Sequence, residues 1–151
     1  MKRFKFPLRP VAILREHHEM RAREAFAASV HAFVRAEQEL AAARERLRSL
    51  GEELTAGRAV HFNAADEIRA LTAYRRECTV EAEAVQARTA AQHAMDQRRA
   101  EYIEAHRKVE VVHRLELKAR TVYRYEVTRE EQAEFDDYAN RRFGRESLNS
   151  A

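Results

Sequence analysis

From Val11 to Ala151 the chain contains no proline, and its only glycines are Gly51, Gly57 and Gly144. A helix, once begun, therefore meets almost none of the residues that stop one. Aromatic residues make up 8% of the 151 positions and charged residues 35%, both signs interspersed, while alanine inflates the 45% hydrophobic share. That is the composition of long helices and coiled coils, without the apolar content of a thick globular core. Nothing in it requires a strand.

The punctuation divides the chain in two. Pro10 suits the first turn of a helix, where its missing N–H would be unpaired anyway. The spacing predicts a first helix over about 8–56, closed near Thr55 to Gly57 by a glycine in left-handed geometry. A connector over about 57–63 leads to Asn63, placed to cap a second helix with Asp66 three residues on in capping-box position. The second helix is expected over about 64–143, with Gly144 ending it and 144–151 a frayed tail. At 1.5 Å per residue these helices are roughly 70 and 115 Å long. The reading is one all-α coiled-coil domain over 1–151, a long antiparallel two-helix hairpin whose C-terminal helix is the longer.

Heptad spacing supports the pairing. Phe26, Phe33, Leu40, Leu47 and Leu54 recur every seven residues, with Ser29, Ala36, Ala43 and Leu50 between them, as in an a/d seam. Upstream, Val11, Leu14, His18 and Ala22 include an extra four-residue step, read as a stutter. The second helix shows a weaker seam: Ile68, Leu71, Cys78, Ala82 and Val85, then a change of frame to Ala91, Met95, Tyr102, Ala105, Val109, Val112 and Ala119. A turn centred near residue 60 sets Leu47 against Tyr74 or Cys78, Phe26 against Met95, and Leu14 near residues 107–111. Beyond about residue 114 the second helix runs out of partner, yet "LELKARTVYRYEV" is rich in apolar residues. Exposed surface of that kind calls for a partner, a copy of itself or a fold-back. "TVYRYEV" also alternates like a strand, so a local break is expected as one alternative.

Charge and cysteine content exclude several classes. The net charge is only +3, and a pI near 9.2 reflects a modest arginine excess without a polybasic tract, so nucleic-acid binding is weakly supported. The single Cys78 admits no intramolecular disulfide and fits a reducing compartment, the cytoplasm by default. Arg9 and Pro10 interrupt the opening apolar run, so it does not read as a signal peptide, and no window reaches a membrane span.

Little in the sequence suggests chemistry. His17 and His18 are adjacent and point apart on a helix, and His106 and His113 lie two turns apart, so no histidine pair has metal-binding spacing. Carboxylates sit three or four residues from arginines, as surface helix pairs do. No phosphate loop or nucleophile elbow occurs. Cys78 falls on the expected seam, where a small buried hydrophobe is the simpler reading. No catalytic residue, cofactor or metal is expected, and the chain does not read as an enzyme.

The opening F-x-F-x-L-x-x-V-x-x-L-R-E, here Phe4, Phe6, Leu8, Val11, Leu14, Arg15 and Glu16, carries a resemblance. So does the closing stretch with Glu134, Phe135, Asp136, Asp137, Arg141, Arg142 and Phe143. With the leucine heptads between them, and "YRREC" just inside the second helix, residues 4 to 143 resemble the FliJ family. These are small soluble proteins of the bacterial flagellar type III export apparatus, related to YscO-type stalks of virulence injectisomes. This chain has "VVHRLELK" and "FDDYA" where family members are often leucine-richer.

The resemblance implies a stalk-like coiled coil in the pore of a hexameric export ATPase. Such a stalk promotes ring assembly, reaches the membrane export gate at the cytoplasmic face of the flagellar base, and can escort export chaperones. On that basis Phe4, Phe6, Leu8, Arg9, Val11 and Leu14, with Tyr123, Phe135, Tyr138 and Phe143, are expected to contact the ATPase. Phe62, Tyr74 and Arg75 are expected to face the gate. Coiled-coil packing is the competing role for Tyr74 and Tyr123. Alternatives are an injectisome stalk or a self-associating spacer, including a weak homodimer through the C-terminal overhang.

Overall fold

A computed structural model describes residues 3–60 and 63–148, with side chains through 142. Two helices account for nearly all of it: α1, Arg9–Val60, and α2, Ala64–Leu148. No strand is present among the described residues, and α2 runs unbroken through residues 121–127 despite their strand-like alternation. There the threonines fold back on the helix. Thr121 Oγ1 donates to the Leu117 carbonyl and Thr128 Oγ1 to that of Arg124, a local bond open to hydroxyl side chains inside helices.

Three expectations about helix ends need correction. α1 does not close at Gly57 but continues to Val60, and Gly144 lies inside α2 rather than ending it. No described residue has a positive φ, so neither glycine supplies a left-handed cap. Glycine permits a stop without imposing one, and here the ladder of helical bonds continues through it. The turn is instead made at Asn63. Its Oδ1 accepts from the Ala65 N–H at 3.1 Å, and its carbonyl accepts from the Glu67 N–H. Asp66 takes part differently from a capping box, accepting from the Asn63 side-chain amide at 2.9 Å. Asp66 and Glu67 lie in the first turn of α2 and Arg58 in the last turn of α1, each complementing its helix dipole.

The chain divides into two compact units, Glu19–Ala105 and Met1–His18 with His106–Ala151. In the first, α1 and α2 pack antiparallel across the turn. Every expected seam residue of α1 from Phe26 to Leu54 is buried or half-buried, and Leu40 and Ala43 form the core at 8% and 1% exposure. Cross-helix pairs fix the register: Arg44 with Glu81 at 3.1 Å, Arg46 with Glu77 at 3.0 Å, Glu37 with Arg88 at 3.1 Å, and Arg58 with Glu67. The Phe26 ring stacks on Tyr102, with centroids 6.2 Å apart, and so pairs seven residues beyond the expected Met95. The turn supplies part of the reason: cross-helix pairs such as Arg44–Glu81 and Glu37–Arg88 set the pivot about two residues further along the chain, which displaces opposed positions by about four of those seven.

The α2 seam also differs from expectation. Ile68, Cys78, Ala82 and Val85 are exposed, and the inward-facing positions are Leu71, Tyr74, Glu77, Glu81, Ala84, Arg88, Ala91 and Met95. Cys78 is therefore not a buried seam residue. From Tyr74 onward this is a regular heptad with no change of frame, in which charged side chains occupy seam positions and reach across to α1. Arg88 meets both Glu37 and the face of Phe33, its guanidinium carbon 5.1 Å from the ring centroid.

Candidate functional site

The unit formed by 1–18 and 106–151 joins the N-terminal segment to the later part of α2. Its core is small: Ala12 from α1 and Val109 and Val112 from α2 are the buried residues. Val109, Val112, Glu116, Ala119 and Tyr123 face inward at steps of three and four, and Ala12, Arg15 and Glu16 answer them from α1. The expected stutter is absent, because Val11, Leu14 and His18 point outward and Ala12 and Arg15 hold the seam. Size decides which residue faces the partner: alanine packs closest to the other helix here, and the larger Leu14 is 55% exposed.

Ahead of the helix, Phe4 lies against α2. The ring centroids of Phe4 and Tyr123 are 5.4 Å apart at a 55° tilt, and the Arg120 guanidinium carbon lies 5.5 Å from the Phe4 centroid. Aromatic pairs and cation–π contacts of this kind add about 0.5–1.5 and 0.5–1 kcal/mol respectively. The Arg9 N–H donates to the Phe6 carbonyl and the Ala12 N–H to that of Leu8, so the segment turns directly into α1. Phe4 and Phe6 are half-buried, while Leu8, Arg9, Val11 and Leu14 are exposed.

One flank of this unit is polar. Glu16 meets His113 at 3.1 Å, Arg9 lies 4.0 Å from Glu116, and Arg120 donates to the same Glu116 carboxylate at 2.7 Å. The Arg120 hydrogen bond holds the Glu116 carboxyl below its ordinary range, helped by the Arg120, Arg9 and His113 charges and opposed by burial. Arg15 Nη1 donates to the Lys108 carbonyl at 3.0 Å from the other flank.

Past Tyr123, α2 continues with no described segment of α1 or of the residues ahead of it alongside. Tyr125, Phe135 and Tyr138 are each about two-thirds or more exposed. A shallow concavity there is lined by Tyr123, Phe135 and Tyr138 with Glu126, Glu130 and Glu134 among others. The bare apolar end read from the sequence is thus also strongly acidic. Between Glu126 and Asp137 six carboxylates accompany the single basic Arg129, a balance that residue-by-residue inspection for aromatics passes over.

The remaining candidates are dispersed. Tyr74 is half-buried in the other unit, 3.9 Å from where a Cβ on Gly51 would stand, and Arg75 is exposed beside it. Phe62 lies outside the described residues. Phe143 lies within α2, but its side chain is outside the described set. No described helix is long and apolar enough to cross a membrane.

Antiparallel pairing in heptad register, with aromatics locking an extended N-terminal segment onto a longer second helix, defines a coiled-coil protein organised around helix surfaces. The family model for the flagellar FliJ protein matches residues 4–148, nearly the whole chain. The chain belongs to the FliJ family and is a component associated with flagellar type III protein export. No curated protein and no solved structure matches it significantly.

Proposed function

We propose that this protein is a stalk of the flagellar export apparatus that binds the hexameric export ATPase, promotes assembly of its ring and links it to the membrane export gate. Export chaperones are further partners under the same reading, and the site of action is the cytoplasmic face of the membrane at the flagellar base. The observation that carries it is the packing of Phe4 on Tyr123 next to a stretch of α2 that bears the exposed Phe135 and Tyr138 and has no described segment of α1 beside it. Family membership supplies the export context, and the exposed aromatic surface supplies a place for a partner.

In this reading Phe4, Phe6, Leu8, Arg9, Val11 and Leu14 act with Tyr123, Phe135, Tyr138 and Phe143 on the ATPase, and Phe62, Tyr74 and Arg75 on the gate. The N-terminal residues have two tasks. Phe4 fixes the segment to α2, and the exposed Leu8 and Arg9 are left for the ring. The test is co-sedimentation with the export ATPase of the same organism, comparing wild type with Phe4→Ser combined with Phe6→Ser. Weakened binding at unchanged helical content supports the reading. Unchanged binding, or a concentration-independent dimer that covers Phe135 and Tyr138, favours a self-associating spacer instead.

A further inference from the structure

The unit that joins the N-terminal segment to residues 106–148 has two unlike flanks. In heptad letters its seam runs Ala12 (a), Arg15 (d) on α1 and Val109 (a), Val112 (d) on α2, and in an antiparallel pair e lies beside e and g beside g. The structure bears out the lettering, since Glu16 and His113, both at e, meet at 3.1 Å. The opposite flank then carries Val11 (g) and Leu14 (c) of α1, and Val111 (c), Leu115 (g) and Val122 (g) of α2. All five are exposed. On α2 they fall four and seven residues apart, with Lys118 at the intervening c position, and on α1 three apart, all outside the a and d positions at which α1 and α2 meet.

Charge is sorted between the same two flanks. From 107 to 129, the c, f and g positions hold Arg107, Arg114, Lys118 and Arg129 among others, and no acidic residue. The acids of that span, Glu110, Glu116 and Glu126, fall at b, a and d. On α1, Glu16 lies at e, and His17 and His18 at f and g. The result is an aliphatic strip on the flank opposite the Glu16–His113 pair, with basic residues and no acid at the c, f and g positions of α2, of which Arg114 also pairs with Glu110 at 3.7 Å.

We propose that this strip receives a third helix, an amphipathic helix of another protein whose apolar stripe is bordered by acidic residues. Valine and leucine at coiled-coil spacing offer holes for helical knobs, and a basic margin selects glutamate or aspartate at the partner's flanks. A second copy of this chain fits poorly, because it would set Arg107, Arg114 and Lys118 against their own equivalents. Val11 and Leu14 are shared with the residues proposed for the ATPase, whereas Val111, Leu115 and Val122 lie outside them, so substitutions on α2 test the strip separately.

The probe is a labelled synthetic helix about three heptads long, with leucine at a and d and glutamate at e and g, a pattern whose like charges oppose self-pairing. Its twin carries lysine at e and g. Fluorescence anisotropy against the full chain should show the glutamate peptide binding about tenfold or more tighter than the lysine twin. Leu115→Ser with Val122→Ser should weaken that binding about tenfold or more, as loss of two buried aliphatic contacts requires. Helical content and ATPase co-sedimentation should stay unchanged. Failure of the glutamate peptide to bind overturns the proposal, as does equal binding of the twin, or indifference to the double substitution. Phosphatidylglycerol vesicles supply the third arm: co-sedimentation with them, lost in the same variant, would assign the strip to an anionic bilayer and overturn the helix.

Discussion

Truncating Leu40 to alanine should destabilise the protein far more than truncating Ile68, and the difference can be worked from burial. Leu40 is 8% exposed beside Ala43, whereas Ile68 is 65% exposed on the outer surface of α2. Leu40→Ala removes three carbons, about 2.4 kcal/mol at ~0.8 kcal/mol per buried methylene. In closed cores such truncations range from about 2 to 5 kcal/mol, because a cavity term is added. A two-helix interface is open at its flanks, so water and neighbouring side chains refill the space, and the cost should stay near the transfer value, about 2–2.5 kcal/mol. Ile68→Ala loses little burial and should cost no more than about 0.5 kcal/mol, as ordinary surface changes do. Urea denaturation followed by far-UV circular dichroism measures both. Equal losses would refute the assigned seam, because Ile68 can matter that much only if α2 turns the face read from apolar spacing alone toward α1.

Gly57→Ala should stabilise the protein by about 0.5–1 kcal/mol, since Gly57 is helical and nothing stands within 4 Å of an added Cβ; a loss of stability on thermal unfolding would restore the left-handed cap. Glu116 should contribute to acid sensitivity. Its folded-state pKa is depressed, so its contribution is complete above the ordinary value of 4.5 and is lost as pH falls through the lower folded value. Glu116→Gln should flatten the fall in urea midpoint over that acidic window, and an unchanged profile would show that Arg120 and Arg9 do not act on it. Cys78 should react with maleimide in the native state about as fast as a free thiol peptide, because it is exposed. Strong protection would place it back in the seam.

The sequence made the all-α pairing legible through two kinds of residue. Phe26 to Leu54 keep one apolar frame, and the structure buries them as that frame requires. Asn63 has a short polar side chain at the start of α2, and it caps as its chemistry suggests. What was hidden lies where charge or small size occupies the seam. Glu77, Glu81 and Arg88 hold inward positions because α1 offers Arg46, Arg44 and Glu37 across from them. Such a pair leaves no apolar signal on either strand of the pattern. Stepping back by sevens from Val109 and Val112 does find Tyr74, Glu77, Glu81, Ala84 and Arg88, so regular spacing was the informative signal and hydrophobicity the distracting one. At the N-terminus the larger apolar Leu14 and Val11 face outward, and Ala12 and Arg15 occupy the seam.

For the docking end, the sequence indicated the participating aromatics but not their division of labour. Phe4 is committed to Tyr123 and Arg120, which makes it a fastener as much as a contact. Tyr123 serves both as seam and as the beginning of the exposed acidic surface. Neither role is visible from residue type, because both depend on where the N-terminal segment ends along α2. That endpoint is fixed by the packing of Phe4 on Tyr123, which apolar spacing alone does not reveal.

The register is therefore the quantity to measure. In a Cys78→Ser background, Phe26→Cys should be joined by a short bismaleimide to Tyr102→Cys, whose ring it stacks on at 6.2 Å in the wild type, and poorly to Met95→Cys. Preferential joining to Met95→Cys would contradict the pairing of the helices and every placement that follows from it.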